Sequence, residues 1–419
     1  VTRHAHVIGA GLAGLAAALD LVEAGCRVTI HEASAKAGGR CRSYHDAVLD
    51  RRIDNGNHLI LSGNRAVLSH ARRIGATDRL DTLPEAAFPF VDLENGQRWT
   101  VRVPRTPLAA MRSDARPPGV TPTAALAGVA GLLVARQDRT VAEAVRDRGP
   151  MWQSFWSPMS TAVLNMAPER GSAALLRAAL VRSFFRGAAA CRPVLAPEGL
   201  GSALIDPALD HLRARGVALN LRASLAGLVL TDGRAEGLVF ADGLRVALGQ
   251  EDAVVLAVPP AALADLLPNL PRPAPGPAIL NAHFRVDRDL AMDAPPLLGL
   301  LSSNAQWVFR RGDVLSVTVS AAEDTPVWPM ERDEALGVLW REVARALDLG
   351  SAAPLARRLL RERAATFDQS PEGASRRPAV GTAWRNVALA GDHVRTGLPA
   401  TLEGAVISGR RAARHLLRA

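Results

Sequence analysis

Three glycines with fixed spacing, Gly9-Ala10-Gly11-Leu12-Ala13-Gly14, follow the short apolar run His6-Val7-Ile8. Leu12, Leu15, Leu19 and Val22 recur at helical spacing, and Gly25 stands where that helix would end. Arg27–Ile30 is a second apolar run, with Glu32 just after it. A strand, a glycine turn, a helix, a strand and an acid in this order make a dinucleotide site. Gly9 permits the tight turn, Gly11 lets backbone approach a pyrophosphate, and Gly14 lets the helix pack on the strand. The N–H groups that open the helix, at Leu12 and Ala13, then face the phosphates, and Glu32 accepts from ribose hydroxyls.

Two further segments bear on which dinucleotide this is, NAD or FAD. Ala37-Gly38-Gly39-Arg40 follows Glu32 closely, and an arginine held by a Gly-Gly turn can clamp a second phosphate. Then comes Ile53-Asp54-Asn55-Gly56-Asn57-His58. Near the other end, the apolar run Val387–Gly391 closes in Gly391-Asp392. Leu402, Val406, Gly409, Ala413 and Leu416 then recur at three-to-four spacing, so a helix opens near Thr401 and Leu402. Its N-terminus would favour negative charge on the pyrimidine side of a reduced flavin.

The elements that must carry these residues belong to a chain of 419 residues, enough for two or three domains. Hydrophobic residues make up 48% and charged residues 22%, a globular balance. Lys36 is the sole lysine, so the +9 net charge is almost all arginine. Nucleic acid is not the expected partner: the arginines are scattered, and the runs Arg357–Arg363 and Arg410–Arg418 read as solvated helix faces. Cys26, Cys41 and Cys191 show no CxxC spacing, which disfavours a disulfide framework or a structural zinc site, and no metal is expected. The start, from Val1, has no signal-peptide layout. Thr123–Ala135 is apolar and uncharged but falls short of the ~20 residues of a spanning helix. Val217–Leu221, Ala226–Leu230 and Ala235–Phe240 read as short strands separated by Asp-Gly turns, and Ala253–Val258 as a buried strand ended by Pro259-Pro260. Pro-rich breaks at 116–118 and 268–277 mark loops.

Taken together, Gly9–Gly14, Glu32 with Gly38-Gly39-Arg40, Asp54-Asn55-Gly56, Asp252–Pro260, Gly391-Asp392, Pro399–Ala405 and Ser408-Gly409 resemble the FAD-dependent amine oxidase and phytoene desaturase superfamily, in its order and along nearly the whole chain. Asp54–His58, Phe155–Glu169 and Thr396–Val406 most resemble the squalene-associated desaturases of bacterial hopanoid synthesis, which act as hydroxysqualene dehydroxylases. The resemblance implies an α/β fold. A Rossmann-like FAD domain of glutathione-reductase type would be assembled from residues 1–84, 196–261 and 376–419, and an inserted α+β substrate domain from 85–195 and 262–375. It implies a backbone contact to adenine near Leu225, adenosine near Val258, and flavin or ribityl contacts at Asn55, Gly56, Gly391 and Asp392.

Absences narrow the chemistry that the resemblance implies. Lys36 lies in the phosphate loop, so it cannot be the lysine that amine oxidases place near flavin N5, and Tyr44, the only tyrosine, cannot form a tyrosine pair. No cysteine follows Cys191 to attach flavin covalently, so the expected cofactor is non-covalent FAD. No second glycine fingerprint offers a site for NAD(P)H, which leaves the electron donor open among the substrate, a membrane quinone and another reductase. The expected substrate is a large apolar isoprenoid such as hydroxysqualene, met by a cytoplasmic protein with a peripheral membrane contact. Thr123–Val134, flanked by Arg112, Arg116 and Arg136, is the candidate interfacial element. His58 is the first candidate for a general acid, its unperturbed pKa being suited to the task, and His393 is the weaker one. A carotenoid-type desaturase or isomerase and a non-catalytic flavin scaffold for terpenoid enzymes are the competing expectations.

Overall fold

The computed structural model describes residues 3–105, 117–146 and 148–418. Arg112, Arg116 and the start of the break at 116–118 lie outside the described residues. The nucleotide-side sheet has five strands, ordered Ala218–Leu221, Arg27–Glu32, His4–Ile8, Ala253–Leu256 and Val387–Leu389, all paired in parallel. Parallel sheets are covered on both faces, which is why Ala253–Leu256 is buried without alternation. The strands come from far apart in sequence, so the sheet forms only when the two ends and the middle of the chain meet.

One face carries the N-terminal helix, Leu12–Glu23, which is buried nearly all round. The C-terminal helix, Leu402–Arg418, packs on it so closely that a β-carbon at Gly409 would lie 2.0 Å from the Ala13 carbonyl oxygen. Small residues on both helices, Ala13, Ala16, Ala412 and Ala413, make this approach feasible. Beyond the other face lies an antiparallel meander, Leu225–Thr231, Arg234–Phe240 and Arg245–Ala247. Its turns use Gly233 at φ +74° and Gly243 at φ +88°, the left-handed conformation that Asp-Gly spacing anticipates.

A second sheet of seven strands runs in the order Ala356–Glu362, Ile279–Arg285, Val314–Val319, Trp307–Arg311, Leu297–Leu301, Ala87–Asp92 and Arg98–Arg102. Only the pairing of Leu297–Leu301 with Ala87–Asp92 is parallel. Leu280, Ala282 and Phe284, with Leu315, Val317 and Val319, form one core with the helix Arg332–Ala346. Arg357–Arg363 is therefore corrected: it lies mainly in an edge strand, not on a helix. Leu359 is buried between the exposed Arg357 and Arg361, and charge on an edge strand discourages pairing with other chains. Arg410–Arg418 does lie on a helix, with Ala412, Ala413 and Leu416 turned inward.

A helical layer completes the molecule. It includes Pro122–Val134, capped by the Thr121 hydroxyl, and Ala173–Arg182, and its core holds Trp152, Trp156 and Leu176.

Candidate cofactor and active site

At the glycine turn each position is decided by what surrounds it. Gly9 has φ +105°, donates its N–H to the His31 carbonyl at 2.7 Å, and would place a β-carbon 2.4 Å from the Ala257 oxygen. A β-carbon on Gly14 would lie 2.0 Å from the Gly9 oxygen. Gly11 differs: its β-carbon direction meets nothing within 4 Å, and no side chain caps the helix that starts at Leu12 and Ala13. Open space ahead of uncapped N–H groups is what a pyrophosphate requires. The Gly38 N–H donates to the Ala10 carbonyl at 2.9 Å, and a β-carbon on Gly39 would stand 3.6 Å from the Gly11 α-carbon, so both turns form one surface. Glu32 is held beneath them, accepting from the Ala10 N–H at 2.8 Å and from the Ser34 N–H and hydroxyl. Leu225 and Val258 pack together with Ile8 and Phe240 where the sheet meets the meander.

Arg40 reaches across the chain to Asp392. Its Nη1 is 2.9 Å and its Nη2 2.6 Å from the two carboxylate oxygens, and Nη1 also donates to the Ala365 carbonyl. Burial alone drives the Asp392 carboxyl upward, but the Arg40 charge, with His393 beside it, holds it well below the usual carboxylate range. The same pair holds Arg40 above its ordinary value, against burial. Three of Arg40's five donors are thus committed, and a phosphate finds only the remainder. The bidentate pair ties the first segment of the chain to the last.

The loop after Gly391 depends on a residue that motif reading passed over. Arg377 is 1% exposed, with no ion-pair partner among the described residues; it donates to the carbonyls of Asp392, His393, Val394 and Leu398 and to the Thr396 hydroxyl. Desolvation brings its pKa down to about 10, still charged at neutral pH. Gly391, at φ +141°, donates to the Ser408 hydroxyl, and a β-carbon there would strike the His393 ring. The Thr401 hydroxyl accepts from the Gly404 N–H at 3.1 Å and so caps the helix beginning at Leu402. Buried Glu403 accepts from the N–H groups of Ala66 and Val67 and caps the helix Arg65–Arg73; burial raises its pKa, against those donors.

Around His58 the roles divide sharply. Buried Asp54 serves the fold, accepting from the Ser43 hydroxyl, the Leu200 N–H and Arg311. Asn55 donates to Glu362 at 2.9 Å. His58 Nδ1 lies 2.9 Å from the Gly56 carbonyl, which fixes a tautomer with Nδ1–H and leaves Nε2 for proton exchange. The residue is solvent-exposed, yet the protein packed around its imidazole lowers its pKa by desolvation, with the Gly56 carbonyl pulling the other way. This corrects the expectation of an unperturbed value, because desolvation disfavours the charged ring. His393 is buried, with Nδ1 3.9 Å from Asp392 and Nε2 lacking a partner among the described residues.

Fold and site together define an FAD-dependent oxidoreductase: a discontinuous Rossmann-like part of glutathione-reductase type, carrying an inserted α+β part. The flavin-containing amine oxidoreductase family model matches residues 12–417, and the chain belongs to that family. It is 40% identical over 415 residues to the hydroxysqualene dehydroxylase of Rhodopseudomonas palustris, covering 99% of this chain and 98% of the relative. It is 39% identical to that of Zymomonas mobilis, covering 97% of each. A Synechococcus elongatus protein named as a probable zeta-carotene desaturase is 25% identical, covering 99% and 98%. Putrescine oxidase bound to putrescine shares the fold at TM-score 0.72 and 17% identity, each chain fully covered.

Proposed function

We propose that this protein is a hydroxysqualene dehydroxylase, reducing an allylic C–OH of a long isoprenoid to C–H. The carrying observation is end-to-end identity of 40% with a relative of that name, against 25% with the named carotene desaturase. In this reading residues 1–84, 196–261 and 376–419 hold FAD, and 85–195 and 262–375 hold the substrate.

FAD would be held by the turn at Gly9–Gly14, by Glu32, by Gly38-Gly39 and by the loop that Arg377 and Asp392 stabilise, with Leu225 and Val258 toward the adenosine. Non-covalent binding accords with the thiols: burial pushes Cys41 and Cys191 up to about 12, which makes them poor nucleophiles. When bound and reduced, FAD supplies hydride. The protein's own tasks are to deliver one proton to the hydroxyl oxygen, so that it departs as water, and to keep bulk water away. His58 Nε2 is the atom offered for that proton. Leu59, Leu61, Phe88, Phe90, Trp307 and Phe309 pack into one apolar cluster, against which the hydrocarbon would lie.

A peripheral bilayer contact is part of the proposal. The helix Pro122–Val134 carries no charge, and Leu126, Leu133 and Val134 on it are 60%, 46% and 80% exposed. Among the described residues no helix is long and apolar enough to cross a membrane. An interfacial helix needs no such length. Leu126→Asp with Val134→Asp should abolish sedimentation with anionic vesicles while turnover in detergent persists; unchanged sedimentation overturns the contact. For the reaction itself, the anaerobically reduced holoenzyme should convert hydroxysqualene to squalene. Conversion of phytoene to a more unsaturated product by the oxidised enzyme, without squalene formation, would replace this reading with a desaturase.

A further inference from the structure

One face of the seven-stranded sheet changes character across its width, and the register shows where. The cross-strand neighbours Asn281 and Thr318, and His283 and Ser316, place four buried polar side chains side by side in its middle. The next strand puts Trp307 opposite Thr318 and Phe309 opposite Ser316. Two strands further on, Phe90 stands opposite Gly299 and Trp99 opposite Phe90. Residues directly opposite share a face, so this face runs from polar to aromatic within a few strands. Such a surface suits an amphiphile with one polar end.

The polar end is incompletely satisfied. Asn281 Oδ1 accepts from the Thr318 hydroxyl at 3.2 Å and from Asn57 Nδ2 at 3.4 Å. Asn57 Nδ2 also donates to the Thr318 hydroxyl at 3.1 Å and approaches the Val317 carbonyl at 3.5 Å, which sets the way its amide is turned. That leaves Asn281 Nδ2 and Asn57 Oδ1 buried with no partner among the described residues, although Asn281 is 0% exposed. Buried amide groups rarely stand alone. The unpaired donor and the unpaired acceptor, on two amides joined by the Asn57 Nδ2 to Asn281 Oδ1 contact, together complement a single hydroxyl or a single water. A β-carbon built on Gly56 would lie 3.7 Å from both Asn281 Nδ2 and His58 Cε1, so amide and imidazole flank the same glycine.

From this juxtaposition we infer that Asn281 and Asn57, backed by Thr318, receive the hydroxyl of the substrate and present it to His58, with the hydrocarbon laid along Trp307, Phe309 and Phe90. The inference rests on the dehydroxylase reading. Asn281 Nδ2–H donates to the hydroxyl oxygen, and Asn57 Oδ1 accepts the hydroxyl proton. When the oxygen takes a further proton and departs, the same two groups hold the water produced. Asn281 and Asn57 are positioning residues here; the proton comes from His58 and the hydride from reduced flavin.

The test compares binding of hydroxysqualene and squalene, presented in the same detergent micelles, to oxidised holoenzyme, read from the change in flavin absorbance. The native protein should prefer the alcohol. Asn281→Leu and Asn281→Asp should erase about tenfold of that preference, the scale of one or two hydrogen bonds, and leave squalene binding unchanged. Asn281→Gln should restore part of it. His58→Ala should keep the preference while losing turnover. If Asn281→Leu fails to retain FAD, Thr318→Val, nearly equal in shape, should show a smaller loss in the same direction. Equal weakening of both ligands, or a preference preserved within about twofold in the variants, overturns the inference. So does a native enzyme that forms squalene but binds both ligands alike. Failure of the native enzyme to form squalene overturns the dehydroxylase reading instead.

Discussion

In the proposed reading, the nucleotide turn and the face beneath His58 would recognise their ligands by opposite means. At the turn the recognising groups are backbone N–H donors, which every residue has, and the side chains need only stay out of the way. Gly9, Gly11 and Gly14 do this within six residues, each for a different steric reason. At the other region the recognising groups are side chains, Asn57, His58, Asn281 and Thr318, drawn from a loop and two strands. Backbone recognition writes a short contiguous motif. Side-chain recognition leaves isolated residues that mean nothing until the strands align.

The largest effect should come from the turn. Gly14→Val places its β-carbon 2.0 Å from the Gly9 oxygen, so the purified protein should be colourless, without bound flavin at micromolar FAD. Full flavin content would break the claim that this region works through backbone shape. Next, His58→Ala should retain flavin and lose roughly 100-fold or more in the rate of product formation from reduced enzyme. Because burial lowers the folded pKa, the charged acid is present only at the acidic end: kcat/KM should fall as pH rises through a midpoint below about 6.5. A midpoint above that value would show that a group other than His58 donates.

Arg40→Met probes the link between the regions. It leaves Asp392 buried without its cation, and with Arg40 41% exposed the cost is discounted to about 2–3 kcal/mol, read as a lowered midpoint in urea. The Asp392 carboxyl is depressed in the folded protein, so the pair's contribution is complete above its unfolded value of about 4 and is lost as pH falls toward the folded value. With its cation gone, burial raises the Asp392 carboxyl in the variant, so the difference between native and variant protein should be largest near neutral pH and shrink as falling pH protonates that carboxyl. The smallest effect is Thr401→Ala, which removes a helix cap and should cost about 1 kcal/mol, read as a lowered midpoint in urea.

Much of the cofactor side was legible in advance because its signals are local. The strand at Val387, the helix after Thr401 and the Asp-Gly turns of the meander each follow from spacing within about a dozen residues. Arg357–Arg363 resembles a helix face because arginines dominate the run, and only its pairing with Ile279–Arg285 makes it a strand. Arg377 and Glu403 gave no motif signal: one acts through carbonyls of a neighbouring loop, the other on the N–H groups of a helix more than 300 residues away. An arginine just before the Gly391 strand, or a glutamate in the first turn of the last helix, looks like ordinary surface charge.

By itself the sequence determined that a dinucleotide is bound and that no second lysine can act, because glycine spacing and residue absences need no tertiary context. Only the tertiary structure decided that Arg40 answers Asp392, that the surroundings of His58 lower its pKa, and that Asn281 faces Asn57 with a donor and an acceptor to spare. The reason is physical. Steric permission is a property of a residue and its immediate neighbours, while charge, solvation and hydrogen-bond complementarity are properties of what the fold brings alongside.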